Sequence, residues 1–123
     1  MTERILVIDD EDVVRKLIVS MLTRAGYKTL EAPNGRIGIA VARHERPALI
    51  LCDGVMPELD GMSTLEEIRK DDELSDIPFI FVSGNEVDGS RERAGDLRAA
   101  LYVSKPFRKE ELLAAITDAL ADS

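Results

Sequence analysis

The sequence predicts an α/β protein of five βα units, (βα)5, folded as a doubly wound parallel sheet. Three features point there. Short aliphatic and β-branched runs alternate along the chain with longer amphipathic segments. The short runs are continuously apolar, as strands buried on both faces require, and do not alternate as half-exposed strands do. No internal repeat or low-complexity linker breaks the pattern. The 123 residues fit one domain, 1–123, and with 45% hydrophobic residues it can bury a core without covalent staples.

Taken in order, residues 5–8 (Ile-Leu-Val-Ile) read as the first buried strand. From Asp12 the period becomes helical, with Val13, Val14, Leu17, Ile18, Met21, Leu22 and Ala25 on one stripe and Gly26 placed to stop it. Residues 27–31 form a weaker second strand. Pro33-Asn34-Gly35 gives a turn from which Asn34 caps a helix whose apolar positions are Ile37, Ala40 and Val41. Residues 48–52 form a third strand that ends abruptly at Asp53. Pro57 and Asp60-Gly61 make 54–61 a loop, and Met62, Leu65 and Ile68 mark a short helix. Residues 79–82 are the fourth strand, ended by Ser83-Gly84-Asn85. Segment 87–98, with Gly89, Gly95 and only Val87, Ala94 and Leu97 to bury, predicts a short or labile fourth helix. Residues 101–103 are the fifth strand. Residues 108–120 are the last helix, with Glu110 and Glu111 in its first turn and Leu112, Leu113, Ile116 and Leu120 facing inward.

Charge narrows the function. Sixteen Lys and Arg against 24 Asp and Glu leave a net charge of −8. That balance argues against a nucleic-acid binder and against a polybasic membrane anchor. One cysteine makes neither an internal disulfide nor a CxxC metal clip, which suggests a reducing compartment, the cytoplasm. Glu3 and Arg4 followed by a short apolar run do not resemble a signal peptide, and no apolar stretch nears the roughly 20 residues that span a bilayer.

In a doubly wound sheet, ligands bind beyond the carboxyl ends of the strands. The first strand delivers Asp9 and Asp10 there, the third Asp53, the fourth Ser83, and the fifth Ser104-Lys105-Pro106. A single aspartate at such a place is more often a cap or turn residue than a ligand. Three together are harder to dismiss, since like charges ~4 Å apart repel by about 4 kcal/mol at an effective dielectric near 20. Such a cluster calls for a divalent cation, raised pKa values or a cationic partner. Hard oxygen donors without a His or Cys cluster suit Mg²⁺. Beside that ion, Asp53 has the chemistry of a phosphoryl-accepting nucleophile, Lys105 of a charge neutraliser and Ser83 of a hydrogen-bond donor to a phosphoryl oxygen, with Asp9 and Asp10 holding the metal.

Ile8-Asp9-Asp10, the run Asp53-Gly54-Val55-Met56-Pro57-Glu58-Leu59-Asp60-Gly61, Ser83-Gly84 and Lys105-Pro106-Phe107 closely resemble, in order and spacing, the motifs of response-regulator receiver domains. The resemblance covers essentially the whole chain and implies strand order 2-1-3-4-5. It implies that Asp53 is phosphorylated by a histidine kinase or phosphotransfer protein, that Asp9, Asp10 and Asp53 hold Mg²⁺ with the backbone carbonyl of Val55, and that the Lys105–Pro106 bond is cis. It further implies that Ser83 and Tyr102 are the switch pair and that phosphorylation remodels the surface of segment 87–98, the fifth strand and the last helix. A downstream protein or an output domain would read that change, and the sequence leaves phosphorylation-dependent dimerisation open.

Two other functions fit parts of the pattern. A haloacid-dehalogenase-like phosphatase uses Asp, Ser or Thr, Lys and Mg²⁺, but usually has a second Asp where this chain has Val55. A receiver-like module that is never phosphorylated would not need the intact site. Val55 itself, unable to orient water, predicts a long-lived phosphoryl-aspartate, which Asn85 could partly offset. Arg98 stands where receivers often have glycine, and with Gly95 just upstream the helix of segment 87–98 is expected to end early. His44 reads as solvated, Cys52 as a buried small hydrophobe, and residues 69–73 as a solvated helix end.

Overall fold

The structure, a computed structural model, describes residues 3–54, 56, 59–83 and 101–121. Five strands, β1 (Arg4–Ile8), β2 (Lys28–Ala32), β3 (Leu49–Cys52), β4 (Phe79–Ser83) and β5 (Leu101–Ser104), form one parallel sheet in the order β2-β1-β3-β4-β5. Four helices are present among the described residues: α1 (Asp12–Arg24), α2 (Gly35–Glu45), α3 (Gly61–Lys70) and α4 (Lys109–Ala121). The expected helix over 87–98 lies outside the described residues, as do Asn85 and Arg98.

Strand pleating divides the core in two. Leu6, Ile8, Ile50, Cys52, Phe79 and Phe81 point to one face and pack with Ile39, Ala42, Leu65 and Ile68 of α2 and α3. Ile5, Val7, Leu49, Leu51, Ile80 and Val82 point to the other, against Ile18 and Leu22 of α1 and Leu112 and Ile116 of α4. Helices on both faces explain why the strands read as unbroken apolar runs. Gly26 ends α1's turn with φ of 100°, and Asn34 caps α2 by accepting from Ile37 N at 2.9 Å, both as the sequence predicts.

Two helices bury faces that differ in part from those predicted. On α1, Ile18 and Leu22 are buried and Val14 and Met21 partly buried as predicted, but Arg15 joins them, while Val13 is 82% and Leu17 52% exposed. On α2 they are Gly35, Gly38, Ile39 and Ala42, with Ile37 45% exposed and Ala40 also exposed. The cause on α2 is close approach. A Cβ on Gly38 would strike the Ile8 side chain, and one on Gly35 would strike Thr64 Oγ1, so the glycine face is the one that fits. On α4, Leu112 and Ile116 are buried as predicted, but Ala115 and Ala119 complete the inner face, with Leu113 and Leu120 partly buried beside them.

Candidate functional site

The site follows from strand register. Ile8 pairs with Cys52, so the next residues of β1 and β3, Asp9 and Asp53, emerge side by side, and Asp53 N donates to Ile8 O at 3.0 Å. Ser83 pairs with Ser104 at the same sheet end, which brings Lys105 to the edge just beyond. The Lys105–Pro106 bond is cis, as the resemblance implies.

Asp9, Asp10 and Asp53 each present a carboxylate oxygen, and these oxygens lie within 4.8 Å of one another. Asp9 and Asp53 are buried, Asp10 exposed. Lys105 donates through Nζ to Asp9 Oδ2 at 3.3 Å and stands 3.8 Å from Asp53 Oδ1. Every polar atom of Asp9 is engaged. Its N–H donates to Ala32 O (3.1 Å), its Oδ1 accepts from Glu11 N (2.9 Å), its Oδ2 faces Lys105, and its carbonyl accepts from Arg15 Nη1 (2.7 Å).

The loop after Asp53 is closed at its base. Gly61 N donates to Gly54 O at 3.1 Å, and Asp60 caps α3 by accepting from Ser63 N at 2.8 Å. Gly61 must be glycine, because a Cβ there would strike the Asp53 carbonyl and come within 2.9 Å of Phe81 Cε1. The negative field is felt next door. Burial, then Asp53, Asp9 and Asp60, push the Cys52 thiol well above its ordinary range, so Cys52 is a protonated, buried small hydrophobe, not a ligand. His44 is solvated, 85% exposed.

Chemically, two buried carboxylates and one exposed, with hard oxygens and no imidazole or thiolate donor, suit a small divalent cation that a single ammonium does not fully replace. Of the residues predicted for the site, Asp9, Asp10, Asp53 and Lys105 come together. Ser83 ends β4 at the same edge, and its side chain lies outside the described set, as does Val55. Tyr102 pairs in register with Phe81, its half-buried ring 5.7 Å from that of Phe81. Sequence reasoning missed Arg15 and Glu31. Its available signal was a cation spaced three and seven residues before Ile18 and Leu22, on the inner stripe of α1.

The response regulator receiver domain family matches residues 5–117. The chain is 37% identical over 123 residues to Protein PilH of Pseudomonas aeruginosa, covering 96% of this chain and 98% of that protein. It is 38% identical over 118 residues to the probable transcriptional regulator ycf27 of Pyropia yezoensis, covering 96% of this chain but only 47% of that protein, so it spans about half the length of such relatives. Among solved structures, the receiver domain of a Pseudomonas aeruginosa sensor histidine kinase superposes with a TM-score of 0.89 at 29% identity, over 98% of this chain and 99% of that one. That structure holds a magnesium ion in its active site cleft. Fold, family match and relatives agree, and they select the receiver over the dehalogenase-like reading: this chain belongs to the response regulator receiver domain family of two-component signalling.

Proposed function

We propose that residues 1–123 act as a single receiver domain that takes a phosphoryl group onto Asp53 from a phosphohistidine of a histidine kinase or histidine phosphotransfer protein. The observation that carries this is the carboxylate cluster of Asp9, Asp10 and Asp53, within 4.8 Å, with the Lys105 ammonium facing two of them. An Asp53 Oδ attacks phosphorus as the P–N bond breaks; the donor imidazole leaves with the bonding pair and takes up a proton. Asp9, Asp10 and Asp53, with the Val55 carbonyl, would hold Mg²⁺. When bound, that ion supplies neutralisation of charge on the phosphoryl oxygens. Lys105 neutralises a further oxygen, and Ser83 donates a hydrogen bond to another.

The bound phosphoryl adds close to two negative charges and three acceptors. Drawing Ser83 toward it vacates space into which Tyr102 turns, which remodels the surface of segment 87–98, β5 and α4 for a downstream protein or an output domain. Val55 leaves attacking water unoriented, which favours a long-lived adduct. Val13 and Leu17, exposed in the first turns of the helix that leaves the acidic loop, offer apolar contact to the phosphodonor. No helix among the described residues is long and apolar enough to cross a membrane, and we place the protein in the cytoplasm with its kinase. Acetyl phosphate with Mg²⁺ is the direct test. The parent gains one phosphoryl group by intact mass, and Asp53→Asn gains none. An unmodified parent, or an Asp53→Asn protein that is modified equally, removes the proposal.

A further inference from the structure

We infer that Arg15 is a positioning residue that fixes the direction of Asp10, and through it the affinity of the acidic site for a divalent cation; this rests on the Mg²⁺ reading above. Arg15 is 9% exposed and spends its guanidinium on three separate partners. Nη1 donates to Asp9 O at 2.7 Å, Nη2 to Asp12 Oδ1 at 2.6 Å and Nε to Glu31 Oε1 at 3.1 Å. Glu31 belongs to β2, where it pairs with Val7 of β1, and Lys16 holds it by a second cation at 2.9 Å. The guanidinium therefore ties the β1–α1 loop to both the first turn of α1 and the sheet edge.

The atom it grips decides what is positioned. The carbonyl of Asp9 belongs to the planar peptide unit that joins Asp9 to Asp10, so holding that oxygen fixes the plane from which the Asp10 Cα departs. The Asp9 side chain has its own restraints in Glu11 N and Lys105 Nζ. Asp10 is exposed, and neither a hydrogen bond nor an ion pair restrains its carboxylate among the described residues. Its aim is inherited from the backbone, and the backbone is held by Arg15. A planar fork can satisfy three acceptors at fixed angles, which an ammonium cannot.

The test is Mg²⁺ titration of the metal-free protein by calorimetry, with thermal melting alongside. We expect Arg15→Met to weaken Mg²⁺ binding about tenfold, the range seen when groups that orient metal ligands are lost. Arg15→Lys recovers part of the loss, and Glu31→Gln, which loosens only the anchor, falls between the parent and Arg15→Met. A purely architectural Arg15 would lower the melting temperature and leave affinity untouched, so parent-like affinity in a folded Arg15→Met overturns the inference. Should Arg15→Met not fold, parent-like affinity in both Arg15→Lys and Glu31→Gln overturns it instead. A parent that binds no Mg²⁺ removes only the metal reading. Arg15 is then judged without metal from the next amide of the loop, Glu11 N–H, which donates to Asp9 Oδ1 and whose hydrogen exchange is faster in Arg15→Lys if the inference holds and unchanged if it does not.

Discussion

Charge is paired at both ends of the sheet, with opposite consequences. At the amino ends of β3 and β4, Arg43 meets Asp71 at 3.1 Å and Arg46 meets Glu73 at 2.8 Å. At the carboxyl ends, Lys105 meets Asp9 at 3.3 Å and Asp53 at 3.8 Å. By distance the first set looks stronger. By burial the order reverses, since Arg46 and Glu73 are 61% and 63% exposed while the side chains of Asp9 and Asp53 are 2% and 6%. Water screens the outer pairs, and exposed pairs of this kind contribute about 0–1 kcal/mol. The inner set has little water to screen it and holds more negative charge than positive, so it is incomplete by construction.

The sharpest way to break that contrast is at Lys105. Lys105→Met should lower stability by about 3 kcal/mol in urea unfolding, because it leaves Asp9 and Asp53 facing each other without the ammonium. Asp53→Asn, which removes one of the crowded negative charges, should melt at or above the parent when metal is absent, despite losing the acceptor. Next comes Gly61→Ala, expected to cost about 2 kcal/mol and to slow modification by acetyl phosphate, since the new methyl displaces the Asp53 backbone.

Glu31 gives a smaller effect with a defined sign. Lys16 and Arg15 outweigh burial and hold its carboxyl below its ordinary value of 4.5. A depressed folded-state value means the contribution is fully present above 4.5 and is lost as pH falls through that lowered value. Melting curves should therefore show a shallower acid limb for Glu31→Gln than for the parent. Smallest of all is Glu73→Gln, expected within about 0.5 kcal/mol of the parent in urea, with the remaining difference removed by salt.

Most of the architecture was legible because it is written in contiguous residues. The apolar runs mark the strands, Asn34 and Gly26 mark helix ends by backbone demand, and the acidic strand termini mark the site. What escaped depends on neighbours remote in the chain. Hydrophobicity favours Ile37 for the inner face of α2, yet Gly35 and Gly38 take it because Thr64 and Ile8 leave no room for a side chain. Arg15 looks like a surface cation until Glu31, 16 positions away, and the Asp9 carbonyl give it partners. A periodicity argument ranks residues by their own solubility, and these positions are decided by who stands opposite.

The bond from Lys105 to Asp9 closes a loop of 96 of the chain's 123 positions. Chain synthesis delivers the three aspartates early and the ammonium late, so a nascent polypeptide carries the acidic half of its machinery long before the basic half exists. The charge balance of the acidic edge is therefore completed only where β5 pairs with β4 and carries Lys105 to Asp9 and Asp53.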